Sequence, residues 1–395
     1  MLENWMLELL GAIGRFFIHP LLFFFILVSL AFGYFRLKRE RKSFHTRVQD
    51  IFEELRFTYT KGILAGLAIS LVTVVLGLSV PFGVLVILAI VTALLSLTFQ
   101  LRWLSAAFTL GVTLFASVIL SKLGNESVAN FFIDIEKVNF AGIAILLGLL
   151  VIAEGILTFK SAHIRTSPFL IKSTRGLPIG THLANRTWML PLFLFVPGGS
   201  LVSDWTWWPV LTVNDQSFML ICVPFFLGFH QRVQGSLPLE SIKVTATRVI
   251  WLGVVTTIVA VASIWFTPLV FVAVLSAMLG REFLTIKQRM NDDSAAFYFS
   301  KRDKGLMVLG ILPNSPAEKL NLQVGEMIMK VNGFTVKTVS EFYQGLQKNR
   351  AFCKLEVIDL NGEIRFEQRA LYEGEHHELG ILFVQDEKKW ETEAV

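Results

Sequence analysis

The stretch Gly305-Leu-Met-Val-Leu-Gly-Ile-Leu-Pro-Asn-Ser315-Pro-Ala-Glu-Lys-Leu-Asn-Leu-Gln-Val-Gly325-Glu-Met-Ile-Met-Lys-Val-Asn-Gly333 alternates short apolar runs with turn residues. Gly305 to Leu312 reads as a buried strand that Pro313 and Asn314 stop. Ser315 is a good N-cap, Pro316 suits the first helical position, and Glu318 completes a capping box, so a short helix is expected next. Met327 to Val331 then reads as a strand, turned by Asn332-Gly333 onto a partner around Phe334 to Lys337. Further on, Ser340 is placed to cap a second helix with Phe342, Tyr343 and Leu346 on one face. Lys354 to Leu360 and Glu363 to Arg369 read as a hairpin around Asn361-Gly362. The sum is a small β-rich α+β domain over residues 295–386, with a tail at 387–395.

Upstream the texture is different. Of the 395 residues 53% are hydrophobic and only 17% charged, where soluble domains carry about 25% charged residues. Residues 1–280 hold 20 Lys and Arg against 13 Asp and Glu, so the positive charge belongs to the apolar half. Crossing a bilayer takes roughly 17–25 apolar residues. Phe16 to Phe35, Gly62 to Ser79, Phe82 to Phe99, Trp103 to Leu120, Phe140 to Phe159, Val249 to Phe266 and Pro268 to Gly280 approach or meet that length. Trp188 to Val196 and Phe218 to Phe229 read as two short crossings joined by an interfacial segment with Trp205, Trp207 and Trp208; a re-entrant pair would give the same pattern. The expectation is a polytopic all-α bundle of about 8–9 transmembrane helices over residues 1–280, with a basic cytoplasmic linker at 36–61 and a second linker at 281–294. The apolar stretch Phe16 to Phe35 is too long for a cleavable signal peptide, no small-residue cleavage site follows it, and the positive charge lies after it where a signal peptide carries it before.

Seventeen Lys and Arg fall in loops on one side and three on the other, which directs the segment after Gly280 into the cytoplasm. The side of the N-terminus depends on the crossing count. Glu154 is the one mid-sequence acid in a long span, and it reads as a helix-to-helix or interfacial group before it reads as part of a transport path. The basic pI fits loops beside anionic lipid better than nucleic acid, and Cys222 and Cys353 do not make a disulfide framework.

The residues from Gly305 to Gly333 resemble the bacterial PDZ pattern, with Asn321-Leu322 standing for Gly-Leu and Glu326 for Asp. The resemblance covers about the last quarter of the chain. It implies a domain that takes an extended peptide by β-augmentation, the terminal carboxylate held by N–H groups of a glycine loop. That loop would be Leu379-Gly380-Ile381, with Leu382 and Phe383 continuing as the edge strand and Phe342 and Leu346 facing the groove from the second helix. The loop's late position implies a circularly rearranged topology; Leu379 to Val384 also reads simply as a final core strand. Ala296 to Ser300 is a second candidate edge.

Catalytic patterns are weak. No H-E-x-x-H occurs, and Glu375-His376-His377-Glu378 sits in a turn, so no metal site or cofactor is expected. Ser200 with His230 is the one candidate for an embedded serine protease, and the two fall on opposite sides. No phosphate-cradling glycine loop is present, so an enzyme is not expected. The order of parts, one span, the basic run from Phe35 to Arg47, a cluster of spans and a PDZ-like domain, resembles the MinJ family of cell-division topological determinants of Gram-positive rods. The resemblance implies a scaffold in division-site selection, enriched at septum and poles, that links a DivIVA-like protein to the inhibitor MinD and contacts membrane lipid and other division proteins. The alternative is a PDZ-bearing membrane regulator or accessory subunit of proteolysis or secretion.

Overall fold

A computed structural model describes residues 2–44, 46, 48–123, 139–202, 217–349, 351–372 and 379–384. Its membrane half contains helices α1 (Leu2–Ile18), α2 (Pro20–Phe44), α3 (Ile51–Val75), α4 (Phe82–Leu97), α5 (Ala106–Leu123), α6 (Phe140–Leu157), α7 (Pro238–Ala262) and α8 (Leu269–Ser294). Five described helical segments are long and apolar enough to cross a bilayer: Pro20–Phe44, Ile51–Val75, Phe140–Ala162, Pro238–Ala262 and Leu269–Ser294. Phe82–Leu97 and Ala106–Leu120 are apolar but shorter.

The all-α expectation is corrected between Ser167 and Val233, where the described residues form three strands. Trp188 to Val196 and Phe218 to Phe229 are strands within a long antiparallel ribbon, β2 (Pro178–Val202) and β3 (Ser217–Val233), and not helical crossings. Trp205, Trp207 and Trp208 lie outside the described residues. The ribbon reads as membrane sequence because both its faces are buried, which gives a continuous apolar run. Trp188, Leu190, Leu192 and Leu194 face the helices around α6, with Val223, Phe225 and Leu227. Met189 and Phe226 pack on the other face against α2, and Phe195, Leu220 and Cys222 against α1.

An open strand edge in an apolar layer must have its backbone groups satisfied. Here α3 does this: Ser70 Oγ donates to Pro191 O (3.0 Å) and accepts from Phe193 N (2.9 Å), and Thr73 Oγ1 donates to Phe193 O (2.8 Å). Beyond α3, Val80 N donates to Phe195 O and Phe195 N to Leu78 O. Pro191 lies directly opposite Pro224. Because the backbone groups of residue 191 point to the edge, neither proline removes a ladder bond.

Ion pairs gather where α2 ends, α3 begins and the ribbon opens. Glu54 takes Arg36 and Arg186, each at 3.1 Å, and all three are buried. The carboxylate of Glu40 accepts from Val48 N, Gln49 N and Ser167 Oγ. The run expected as a basic linker is therefore largely helical and partly internal, with Lys38, Arg41 and Lys42 left exposed. Arg165 pairs with Glu53 nearby. Glu154, on α6, accepts from Ser105 Oγ (2.5 Å) and Arg281 Nε (2.9 Å), tying α5, α6 and α8 together.

A short strand β1 (Ser167–Lys172) pairs the open end of β2, and β4 (Phe299–Ser300) pairs Ile179 and Gly180 on β2. The second sheet follows: β5 (Leu306–Ile311), β6 (Met327–Val331), β7 (Phe334–Thr335), helix α9 (Val339–Gln347), β8 (Phe352–Ile358), β9 (Ile364–Ala370) and β10 (Ile381–Phe383), in the order β10-β5-β6-β8-β9, with β7 on β6. Two local expectations shift. The first helix is only a 3₁₀ turn, Glu318–Leu320, in which Ser315 Oγ accepts from Glu318 N and Glu318 reaches back to Asn314 N. The second helix is capped by Thr338 and not by Ser340, because Glu341 three residues on closes the reciprocal box.

Candidate functional site

β10 is an end strand of its sheet, and α9 lies beside it through the Phe342 and Phe383 rings, 5.2 Å apart. Leu312 N donates to Gly380 O at 2.8 Å, and Ala317 N to Leu379 O at 2.9 Å. Gly380 is thus bonded to β5, and strict alternation in an antiparallel pair turns the N–H and C=O of Ile381, opposite Ile311, onto the edge that carries no partner strand among the described residues. Those are the groups an added strand would use.

Gly380 has φ +83°, and a Cβ there would lie 2.3 Å from Ser315 Cβ. Glycine is required by conformation and by contact with the Ser315-Pro316-Ala317 turn. The seven residues expected at the groove are brought together, but their exposure differs from expectation. Leu379, Ile381, Phe383, Phe342 and Leu346 all belong to the buried core of the domain, so Phe342 and Leu346 form its floor and not a ligand-facing wall. Leu382 points to the opposite face, where it and Pro168 flank Gly310. Two further α9 residues, Val339, which the sequence reading does not single out, and Tyr343, which it places on the helix face but not in the groove, lie one turn apart, half-buried, and packed on the same core. The i, i+4 spacing was the available signal.

Glu326, which stands in place of the usual Asp, is 2% exposed and accepts a forked bond from Arg365 Nη2 (2.7 Å to each oxygen) and another from Gln323 N. The departure from the pattern is accommodated by a longer carboxylate with its own arginine.

The back face of this sheet is docked on the membrane half. Met307, Leu309 and Val384 share a buried cluster with Phe299, against Phe44, Leu170 and Leu237. A Cβ at Gly180 would lie 2.4 Å from Leu309 Cδ1. The second candidate edge, Ala296 to Ser300, is thereby engaged, since Phe299 and Ser300 pair with β2. Asp292 at the end of α8 accepts from Gln234 N and Gly235 N.

His182 sits in this junction outside the apolar stretch of the ribbon, its Nδ1 2.9 Å from Thr166 Oγ1 and its ring on Phe299. Burial pushes its pKa down from 6.5 to about 4. A depressed folded value means the docked state holds the neutral ring, so this contribution is complete above pH 6.5 and is lost as pH falls toward about 4. Amide exchange at Phe299 and Ser300, corrected for intrinsic rates, is expected to accelerate about tenfold or more between pH 7 and pH 5. His182→Phe should flatten that dependence; equal dependence in both proteins would exclude His182 as its source.

The protease candidates separate. Ser200 Oγ donates to Glu8 (2.7 Å), whereas His230 is bound to Asn185 (2.7 Å) near the other end of the ribbon. Residues 375–378 lie outside the described residues. Cys222 and Cys353 are free and buried in separate cores.

A bundle of apolar helices carrying a β-rich domain with this edge and helix defines a membrane protein with a PDZ module, and the PDZ domain family matches residues 274–348. Over 392 residues the chain is 55% identical to the cell division topological determinant MinJ of Bacillus subtilis (strain 168), covering 99% of this chain and 98% of that protein. Proteins described as probable cell division topological determinant MinJ in Lacticaseibacillus paracasei and Lacticaseibacillus casei (strain BD-II) are each 26% identical over 371 residues, 91% of this chain and 94% of theirs. The chain belongs to the MinJ family of cell division topological determinants. No solved structure matches it.

Proposed function

We propose that this chain is a non-catalytic membrane adaptor for division-site selection that brings a DivIVA-like polar or septal protein together with MinD, its PDZ domain on the cytoplasmic side. The observation that carries this reading is family membership over nearly the whole length, membrane half and PDZ domain together. Two physical features support it. The Lys and Arg excess in the loops favours a cytoplasmic PDZ end. The free edge of β10 beside Val339 and Tyr343 suits an extended segment of a partner, with Leu379-Gly380-Ile381 as the anion-holding loop.

A fluorescent fusion should concentrate at septa and poles, and a reporter joined after Val395 should read out inside the cell. Uniform membrane signal, or an external reporter, would remove the reading. For the groove, Tyr343→Ala combined with Val339→Ala should weaken capture of a partner segment by about tenfold, from roughly 1–2 kcal/mol of lost apolar contact, while membrane insertion is unchanged. Gly380→Val should lose both capture and domain stability, because of its φ and Ser315. Full capture by the Tyr343 and Val339 double variant would move the ligand elsewhere.

A further inference from the structure

We propose that the surface where the 3₁₀ turn Leu101–Leu104 meets α8 binds one anionic phospholipid, an acyl chain lying in an apolar groove and the phosphate among arginines that converge at its mouth.

The groove has a volume of about 350 Å³ and is lined by Leu95, Thr98, Trp103, Phe108, Val112 and Met278, from α4, the 3₁₀ turn, α5 and α8. Its polar end is marked by Arg102, whose guanidinium lies 4.5 Å over the Trp103 ring and 3.6 Å from Glu282, one turn beyond Met278. Arg102 Nε and Trp103 Nε1 both donate to Gln100 Oε1, which fixes the pair at the mouth. Farther along α8, Arg232 of β3 and Arg289 both meet Asp293, as Arg102 meets Glu282, so arginines from the 3₁₀ turn, β3 and α8 line this side of the helix, and together with Arg39 of α2 they act electrostatically on His230.

Their acidic partners are fewer. Asp293 takes both Arg232 (2.7 Å) and Arg289 (3.7 Å), and Glu282 takes Arg102. Asp292, which also acts on Arg232, and Glu40, which also acts on Arg39, are both buried and engaged, the first by Gln234 N and Gly235 N and the second by Val48, Gln49 and Ser167, so among solvent-accessible groups four arginines face Glu282 and Asp293. The surplus of positive charge favours an anionic over a zwitterionic headgroup. The groove beside it favours a lipid over a soluble anion: Leu95 leads to Arg102 and Met278 to Glu282 and Arg289, each passing from apolar to charged toward the PDZ end. An aromatic and an arginine at that depth match a headgroup boundary.

The test uses the full chain in a neutral detergent and follows thermal unfolding with added dioleoylphosphatidylglycerol, dioleoylphosphatidylcholine or inorganic phosphate. Phosphatidylglycerol should raise the midpoint in a saturable way and the other two should not. Arg102→Gln should weaken the apparent affinity about fivefold, the scale for one basic residue at a membrane surface, and Val112→Trp, which fills the groove, should abolish saturation. Glu282→Gln breaks the same ion pair but frees the guanidinium, so it should bind as well as the parent or better. Equal shifts with phosphatidylcholine, an equal shift with phosphate alone, or a Glu282→Gln loss matching that of Arg102→Gln would each overturn the proposal.

Discussion

Gly66→Leu is expected to prevent assembly of the membrane half. A Cβ at Gly66 would lie 2.4 Å from Pro191 Cδ and 2.7 Å from Pro191 N, and one at Gly62 would lie 2.3 Å from Met189 O. α3 therefore rests on the ribbon backbone to backbone, through positions one turn apart. Ser70 continues that face by another turn, and Thr73 follows it with the bonds to residues 191 and 193. A leucine at 66 separates helix and strand by more than those bonds can stretch, leaving two carbonyls and an amide of β2 without partners. Each unsatisfied buried group costs about 1–3 kcal/mol, and overpacking adds about 1–3 kcal/mol. The total approaches the whole stability of an ordinary domain, about 5–15 kcal/mol. Loss of a monodisperse peak in detergent gel filtration measures it. Ser70→Ala keeps the packing and should cost only part of this. Gly14→Leu is the matched control, since nothing lies within 4 Å of a Cβ there. If Gly66→Leu behaves like Gly14→Leu, the close approach of α3 is not what holds the ribbon.

The same contact explains what was legible in the sequence. Length and apolarity locate helices well, and α2, α6, α7 and α8 fall where hydropathy places them. The ribbon escaped because a strand buried on both faces has no period-2 alternation, and nine apolar residues at Trp188 to Val196 read equally as half a helix. Pro191, Pro197 and Pro224 were the discriminating signal: prolines inside short apolar runs disfavour helix, and edge-facing strand positions accept them. Gly62 and Gly66 were equally visible as small residues one turn apart, but which backbone they admit depends on long-range pairing. In the PDZ domain the turn chemistry was legible at Asn332-Gly333 and Asn361-Gly362, and the fold with it. The groove was less so. Which of Phe342, Tyr343 and Leu346 is left accessible depends on how α9 rotates on the sheet, and the burial of Phe342, Gly345 and Leu346 fixes that rotation.

Glu154→Ala and Arg281→Ala should each destabilise the bundle by about 3–5 kcal/mol, the range for removing one partner of a buried ion pair. Both side chains are buried, at 0% and 3% exposure. The carboxylate accepts from Arg281 Nε, Ser105 Oγ and Ala106 N, the last at the start of α5, where the helix dipole favours a negative charge. Arg281 Nη1 in turn donates to Thr285 Oγ1 (2.8 Å) on its own helix. Deleting either member strands the other's charge among apolar neighbours, whereas Glu154→Leu with Arg281→Met removes both and should recover to within about 1–2 kcal/mol of the parent. Thermal unfolding of the parent, the two alanine variants and the Glu154→Ala/Arg281→Ala double variant gives the coupling directly, and additive losses would mean the two charges do not act as a pair. The pair also reaches the functional end. Arg281 and Asp292 lie on one continuous helix, α8, which delivers the chain to β4, so loosening its anchor should release Phe299 and Ser300 from β2. Faster amide exchange at those two residues in Arg281→Ala, with the PDZ core still protected, would place the anchor of the PDZ domain inside the membrane half. Unchanged exchange would leave the docked cluster of Met307, Leu309 and Phe299 as sufficient by itself.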